Sequence, residues 1–203
     1  MFVRTVYATG DPARLGTAVG ALNTRGHDLL EERPGYRGAG VFVDRDLGKL
    51  LTVSWWESAE ARRNSDEVMS VRRPELLQPF AGTVAVENYE AAVFHRARRP
   101  VTGGGLRVTR LEFDPADADL AADTFHTGAL PRLEVLPGFA GAALFLDRER
   151  GRGMAGVLFA DRASLTASRA GAAAIRREGA AKAHSTVVAL EEFEVVHADV
   201  RGD

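Results

Sequence analysis

Hydrophobic and polar residues alternate in the same order twice along this chain. Residues 3–8 are rich in β-branched and aromatic side chains, which predicts a strand. Asp11 and Pro12 then supply a helix N-cap and a first-turn proline. The apolar residues that follow recur at helical spacing and predict one buried helix face: Leu15, Ala18, Val19, Leu22, Leu29 and Leu30. Residues 106–113, with Asp114 and Pro115, repeat this start.

Two further strands, a helical region and a closing strand follow in each half. The strand over residues 49–57 is apolar on both faces, with Trp55 and Trp56 on opposite sides, so we expect a sheet covered on both faces. The helical regions are predicted over residues 58–80 and 161–177. Pro74 is expected to break the first near Arg73, whereas the second is expected to be more regular. The closing strands are predicted over residues 83–94 and 186–196.

The repeat is explicit around a turn that precedes the second strand. Residues 34–48 are PGYRGAGVFVDRDLG and residues 137–151 are PGFAGAALFLDRERG, identical at eight of fifteen positions with a constant offset of 103. The order βαββαβ, present twice, predicts an α+β protein of two tandem ferredoxin-like domains. We expect domains at residues 1–95 and 106–203, joined by a glycine-rich linker at residues 96–105.

Composition excludes several kinds of chemistry. The 203 residues carry a net charge of −2 and contain no cysteine, which rules out disulfides, thiolate metal sites and a catalytic thiol. No apolar run approaches the ~20 residues that span a bilayer, and the five histidines lack metal-ligand spacing. We therefore expect a cytoplasmic protein with no metal, no nucleic-acid partner and no membrane partner.

The order of elements, the Pro-Gly-aromatic turn and the segment Trp55-Trp56-Glu57-Ser58 resemble the antibiotic biosynthesis monooxygenase superfamily. This resemblance covers nearly the whole chain. It implies that the two domains pack sheet to sheet, as a dimeric α/β barrel within one chain. It also leaves a homodimer of the whole chain open.

The resemblance implies cofactor-independent oxygenation of a hydrophobic aromatic or polyketide-like small molecule. Such enzymes resemble this chain at Trp56, which would stack on the substrate. The family places an asparagine four positions before that tryptophan and a tyrosine six after it, where this chain has Thr52 and Arg62. Thr52 would donate a hydrogen bond to the substrate oxygen, and Arg62 would offset its negative charge.

Tyr36 and His27 complete the predicted substrate site. Tyr36 follows the Pro-Gly turn, where it either packs or presents its hydroxyl to a pocket, and His27 lies at the rim of the first helix. In the second half, Phe159 and Ala155 replace Trp56 and Thr52, so that half is expected to be a scaffold without a well-lined pocket.

Two alternatives remain open. Because the family's polar residues are missing, the chain is equally well explained as a non-catalytic small-molecule-binding or structural protein. Haem-degrading members of the superfamily use a histidine on the second helix. Residues 58–80 contain no histidine, and His184 in the second half lacks the accompanying tryptophan and asparagine, so haem binding is the minor alternative.

Overall fold

A computed structural model describes residues 1–200 of the chain. It contains two compact units. Unit 1 comprises Met1–Asn88 and the described residues from Val195 onward, and unit 2 comprises Tyr89–Glu194. The closing strand of each half is divided between the units. The domain boundaries drawn from the repeat remain a prediction.

Both halves have the predicted order of elements. The first contains β1 (Phe2–Gly10), α1 (Leu15–Ala21), α2 (His27–Glu31), β2 (Tyr36–Asp44), β3 (Lys49–Trp56), α3 (Ala59–Leu77) and β4 (Ala81–Arg96). The second contains β5 (Gly105–Glu112), α4 (Ala118–Asp123), α5 (Leu130–Glu134), β6 (Phe139–Asp147), β7 (Arg152–Phe159), α6 (Arg162–Ala167), α7 (Arg169–Lys182) and β8 (Thr186–Val200). The α+β class and the two ferredoxin-like βαββαβ repeats are confirmed.

Strand pairing within each unit is antiparallel. Within unit 1, β3 lies between β1 and β2, with Val6 and Val41 both opposite Thr52. Within unit 2, β7 lies between β5 and β6 in the same way. Each second strand has a β-bulge just after the Pro-Gly turn, at Tyr36/Gly38 and at Phe139/Gly141.

The Pro-Gly turns fix where each second helical region begins. Gly35 and Gly138 have φ of 76° and 74°, a left-handed conformation that favours glycine. The carbonyl of Gly35 accepts from the amide of Glu57, and the carbonyl of Gly138 accepts from the amide of Ala160. A Cβ at Gly35 would lie 2.6 Å from the Cβ of Ala61, so the turn packs directly on the first turn of α3.

Side chains cap the elements as the sequence suggested. Asp11 and Asp114 each accept a hydrogen bond of 2.9 Å from the amide two residues later, which confirms the predicted caps, although the first turn is a 3-10 helix rather than an α-helix. In the hairpins, Asp44 and Asp147 accept hydrogen bonds from the amides of Leu47 and Arg150. These duplicated aspartates therefore clamp turns.

Two helix predictions were wrong. Helix α3 continues through Pro74 to Leu77, and the carbonyl of Pro74 accepts from the amide of Gln78 at 2.7 Å. The second helical region, expected to be regular, is divided at Ser168, whose hydroxyl donates to the carbonyl of Leu165 instead of facing solvent.

A hydrophobic cluster of unit 1 lies between its strands and its helices. Leu15, Ala18 and Val19 of α1 and Leu77 of α3 pack on one face of the sheet, with Val6, Ala8, Val41, Val43, Leu50 and Phe80 in the same cluster. Thus the predicted apolar stripe of the first helix is buried. Thr52 and Ser54 of β3 point to the same face as Leu50 of this cluster and are polar.

Candidate functional site

A cavity of about 370 Å³ lies in unit 1 between strands β1–β3 on one side and α2, α3 and the turn before α2 on the other. Most of its wall is apolar, and its polar side chains are arginine, histidine, asparagine, threonine and serine. The lining residues are Arg4, Val6, Leu22, Asn23, Gly26, His27, Leu30, Ala39, Gly40, Val41, Thr52, Val53, Ser54, Met69, Arg73, Leu76, Leu77, Val196 and His197.

The strand register aligns the polar residues of the cavity floor. Ser54 lies opposite Arg4 on β1, and Thr52 lies opposite Val6. Because directly opposed residues of neighbouring strands point to the same face, Arg4, Ser54 and Thr52 share the face that the helices cover. A guanidinium and two hydroxyl groups therefore lie in adjacent rows of one wall.

The opposite wall includes a π-helical turn, Leu22–Gly26, between α1 and α2. The wider turn contributes Leu22, Asn23 and Gly26 to the cavity, and such turns are frequent at functional sites. His27 follows it, and its ring meets the ring of His197 edge to face, with 6.1 Å between centroids. Two imidazoles thus lie side by side at one part of the wall.

Arg4 is the most buried charged residue of the cavity wall, with 3% of its surface exposed. Its Nη1 donates to the hydroxyl of Ser65 at 2.8 Å, and its Nη2 donates to the carbonyl of Arg62. The Ser65 hydroxyl donates to that same carbonyl at 2.7 Å. Arg4 therefore ties β1 to the first turns of α3, but its Nε has no hydrogen-bond partner in the described structure.

Asp66 lies between two arginines of the cavity wall. Its Oδ2 is 3.1 Å from Nη2 of Arg4, and its Oδ1 is 3.0 Å from Nη2 of Arg73. Burial lowers the pKa of Arg4 to about 10, with Asp66 acting in the opposite direction. That pKa is far above neutral, so Arg4 stays charged, and one carboxylate faces two guanidinium groups.

Unit 2 repeats the arginine clamp with a different charge balance. Arg107, at the position of Arg4, donates to the hydroxyl of Ser168 at 2.9 Å and to the carbonyl of Leu165 at 2.7 Å. Its Nε, however, donates to Oε1 of Glu192 at 3.1 Å. Glu192 also pairs with Arg169 at 2.6 Å, and these contacts hold its pKa below the usual range against the effect of burial. Every nitrogen of the Arg107 guanidinium group therefore has a partner.

The cavity under the helices of unit 2 is much smaller, about 80 Å³. Phe125 and Ala155 line it at the positions of Leu22 and Thr52, so a larger ring fills the space and the hydroxyl is missing. Unit 2 also has a shallow groove of about 540 Å³ beside β4, lined by His95, Asp119, Asp123 and His126 among others. Of the two cavities under the helices, the larger lies in unit 1, and the scaffold role of the second half remains a prediction.

Some of the predicted site residues line the cavity, and others lie behind its wall. Thr52 and His27 line the cavity. Trp56 is completely buried and lies outside the lining, with its Nε1 donating to Oγ of Ser54 at 3.1 Å. Arg62 also lies outside the lining and contributes its carbonyl to Arg4. Only two of the predicted side chains are therefore in the wall, and their roles stay predictions.

Tyr36, also outside the lining, packs edge to face on Trp56, with 5.6 Å between ring centroids. Its buried hydroxyl has no hydrogen-bond partner in the described structure. Burial, and secondarily the charge of Asp199, raises the pKa of this phenol to about 12. Tyr36 is therefore a neutral side chain behind the cavity wall.

Arg4 and Arg73 were not predicted from the sequence. The signal was available: arginine recurs at the constant offset as Arg107 and Arg176, and the serine of the clamp recurs as Ser168.

In residues 1–200, no three histidine, aspartate or glutamate side chains are grouped to hold a metal ion. The described helices also include none with the length and hydropathy of a membrane span.

Two proteins of Mycobacterium tuberculosis are related in sequence. Uncharacterized protein Rv2557 is 34% identical over 130 residues, which is 64% of this chain and 58% of the relative. The chain thus matches less than two thirds of the length of that relative. Uncharacterized protein Rv2558 is 27% identical over 202 residues, 99% of this chain and 86% of the relative. No family model matches the sequence.

Solved structures show the same fold. A candidate monooxygenase from Lactobacillus acidophilus superposes with a TM-score of 0.71 at 12% identity, covering 99% of this chain and 96% of that one. An anthrone oxidase-like protein superposes with a TM-score of 0.69 at 15% identity, covering 100% and 93%. This chain therefore has the fold of these solved structures.

The same fold is found in proteins of different function. A haem-degrading enzyme from Listeria monocytogenes superposes with a TM-score of 0.53 at 7% identity, covering 96% of this chain and 99% of that one. In this chain, helix α3 has no histidine, and His184 is an exposed residue 3.3 Å from Asp117. The likenesses therefore establish the fold alone, and function must be argued from the cavity.

Proposed function

We propose that this chain is a cofactor-independent monooxygenase that oxidises a hydrophobic aromatic small molecule in the unit 1 cavity. The observation that carries the proposal is the composition of the cavity wall. It is about 370 Å³ in volume and mainly apolar, and it places Thr52 and Ser54 in adjacent rows of the floor. Cavities of this size and lining are typical of small-molecule sites.

The reaction would convert a ring CH2, or a ring C–H of a phenol, into a carbonyl. For an anthrone, the ring CH2 and one O2 give a ring carbonyl and one water, which balances without another reductant. The substrate anion supplies the electrons for reducing O2, so the protein must bind the ring, exclude water and stabilise an oxyanion. Thr52 would donate a hydrogen bond to that oxygen, and the apolar wall would hold the ring.

The proposal also agrees with a fold that an anthrone oxidase-like protein shares at 15% identity. It departs from the residue roles expected at first. Trp56, predicted to stack on the substrate, is proposed to position Ser54 and Arg4 from behind the wall. Arg62 is proposed to hold Arg4 through its carbonyl rather than to offset substrate charge.

The alternative is a binding protein without turnover. Thr52 occupies the position at which the related oxygenases have asparagine, and the candidate arginine beside it, Arg62, does not line the cavity. Both observations are also expected of a cavity that binds a ligand and releases it unchanged. Oxygen uptake distinguishes the two functions directly.

The test is oxygen consumption by the purified full chain with a panel of anthrones and naphthols, followed by mass spectrometry of the products. We expect uptake that saturates with one class and a product heavier by 14 Da, the balance of one oxygen gained and two hydrogens lost. Thr52→Val keeps the side-chain shape and removes the hydroxyl, so kcat should fall about tenfold or more.

Thr109→Val is the matched control, because Thr109 lines the small cavity of unit 2. It should leave kcat unchanged. Saturable binding of a panel member without oxygen uptake would favour the binding protein. Equal losses in both variants would indicate a general effect on folding and would remove Thr52 from the proposed site.

A further inference from the structure

We propose that the unit 1 cavity takes an aromatic ligand that is ionised at neutral pH, and that the oxyanion of this ligand binds at Arg4 and Arg73. The inference names the ligand class of the cavity, and it rests on the proposed function for the location of the ligand. It does not depend on turnover.

The first observation is an incomplete charge balance. Arg4 and Arg73 both line the cavity and share the single carboxylate of Asp66, at 3.1 and 3.0 Å. Asp66 is itself 41% exposed, so solvent weakens its compensation of the buried arginine. Among the described residues that line the cavity, none is an aspartate or a glutamate. This end of the cavity therefore has a net positive charge.

The second observation is the unused donor of a buried guanidinium group. Arg4 is 97% buried, since only 3% of its surface is exposed, and its Nε–H lacks a partner in the described structure. A buried donor without an acceptor costs free energy, so the hydrogen-bonding capacity of this guanidinium group is incompletely used. Hydrogen bonds between arginine and an ionised oxygen are also the stronger kind.

Unit 2 supplies the comparison. Arg107 makes the same two clamp contacts as Arg4, but Glu192 accepts from both its Nε and its Nη2, at 3.1 and 2.8 Å. At the constant offset, Tyr89 corresponds to Glu192, and Asp66 corresponds to Arg169, so each unit has one carboxylate beside its clamp arginine. The two carboxylates differ in what they reach, because Glu192 accepts from the Nε of Arg107 whereas the Nε of Arg4 has no partner in the described structure. Unit 1, which has the larger of the two cavities under the helices, is therefore the unit whose clamp arginine keeps an unused donor.

The apolar part of the cavity wall indicates what the uncharged part of the ligand is. Leu22, Leu30, Val41, Met69 and Leu76 surround the space and offer contact area without hydrogen bonds. A small inorganic anion would leave that apolar surface unfilled. The complementary ligand is therefore an apolar ring system bearing one acidic oxygen group, such as a carboxylate or an acidic enol.

The test compares 2-naphthoate with 2-naphthamide, which have the same ring and differ in charge, by isothermal titration calorimetry on the full chain at neutral pH. We expect naphthoate to bind at least about tenfold more tightly than the amide. Arg73→Gln should remove most of this preference and leave the affinity for naphthamide within about twofold. Asp66→Asn should tighten naphthoate binding, because it removes the competing carboxylate.

Arg176→Gln is the matched control, since Arg176 has the position of Arg73 in unit 2 and lines the smaller cavity. It should leave both affinities unchanged. Arg4→Gln is also informative if circular dichroism shows a native fold, but Arg73→Gln decides the question because it keeps the hydrogen bonds of Arg4 to Ser65 and to the carbonyl of Arg62. Equal affinities for the two ligands would overturn the proposal, as would the absence of naphthoate binding at millimolar concentration.

The outcome is separable from that of the proposed function. A preference for naphthoate that Arg73→Gln removes, without oxygen uptake on any panel member, would refute the oxygenase and support the anion site. The opposite outcome is oxygen uptake with an aromatic acid that binds no more tightly than its uncharged analogue, at a rate that Arg73→Gln does not change. That result would support the oxygenase and refute the anion site.

Discussion

The guanidinium group of Arg4 lies over the indole of Trp56, with 5.8 Å from Cζ to the ring centroid. The same indole donates from Nε1 to the hydroxyl of Ser54. Trp56 therefore contacts two side chains of the cavity wall although it does not line the cavity. The contact is repeated in unit 2, where the Cζ of Arg107 lies 5.5 Å from the ring centroid of Phe159.

Trp56→Phe should fold, because phenylalanine has this position in unit 2. The variant loses the hydrogen bond to Ser54 and some ring volume, so we expect the free energy of unfolding to fall by about 1–2 kcal/mol. The affinity for an aromatic ligand should change by less than about tenfold, since Trp56 acts only through its neighbours. Urea denaturation followed by circular dichroism and calorimetric titration measure the two quantities.

Trp55→Phe is the control for this variant, because Trp55 is buried on the opposite face of the same strand. It should lower stability without changing ligand affinity. If Trp56→Phe instead abolished binding while the protein remained folded, Trp56 would contact the ligand directly, and its proposed place behind the cavity wall would be wrong.

The order of elements was predictable because it depends on local signals. Aspartate caps, hairpin aspartates and the Pro-Gly turns occur twice at one offset, and each is satisfied by backbone groups a few residues away. Pro74 was misjudged because an internal proline removes one backbone hydrogen bond and can kink a helix without ending it. Helix α3 continues to Leu77.

The candidate site was only partly predictable, because long-range pairing decides which side chains meet. Thr52 and His27 were predicted and lie in the wall. Arg4 was missed, since a lone arginine in an apolar strand gives no indication that Ser65 and the carbonyl of Arg62, about sixty residues away, will satisfy its donors. The repeated arginine and serine were the available evidence.

Leu22→Phe tests whether the cavity itself is the site. Phe125 has this position in the unit with the smaller cavity, so the larger ring should fill the space in unit 1 as well. We expect ligand affinity to fall by about tenfold or more, with the free energy of unfolding unchanged or slightly raised by the added apolar contact. Calorimetric titration and urea denaturation provide both values.

The reverse exchange, Phe125→Leu, is the control. It should destabilise the chain by about 1 kcal/mol through the larger cavity it leaves in unit 2, and it should leave ligand affinity as in the wild type. A ligand that binds the Leu22→Phe variant as tightly as the wild type must lie elsewhere, and the proposed site would then be abandoned.

Gly35→Ala tests how the Pro-Gly turn supports the site. Its φ is 76°, and the new Cβ would lie 2.6 Å from the Cβ of Ala61 in the first turn of α3. The left-handed conformation alone costs about 1–2 kcal/mol, and the collision adds to it by displacing α3. We expect a lower melting temperature together with weaker ligand binding, because α3 carries Met69 and Arg73 of the wall.

Gly103→Ala separates the two effects. Gly103 also has a positive φ, 84°, but a Cβ there would meet no atom within 4 Å. This variant should show the conformational cost alone and bind ligand normally. Similar losses of stability for Gly35→Ala and Gly103→Ala, with normal binding in both, would mean that the contact between the turn and α3 does not matter for the site.

Tyr36→Phe should stabilise the protein at neutral pH. The hydroxyl of Tyr36 is buried without a hydrogen-bond partner, and unit 2 has Phe139 at this position. Removing an unsatisfied buried hydroxyl should raise the free energy of unfolding by about 1 kcal/mol. Urea denaturation at pH 7 measures the change, and an equal or lower stability of the variant would show that the hydroxyl has an acceptor in solution.

The same variant should change how stability depends on high pH. The pKa of Tyr36 is raised to about 12 in the folded protein, chiefly by burial and then by Asp199, above the value of about 10 in an unfolded chain. Between these values the unfolded chain loses the proton first, so the contribution of Tyr36 to stability is complete below pH 10 and disappears as the pH rises towards 12. The wild type should therefore lose about 1–2 kcal/mol more than Tyr36→Phe over this interval. Tyr7 and Tyr89 are present in both proteins, so the difference between the two denaturation series isolates Tyr36, and parallel series would contradict the raised pKa.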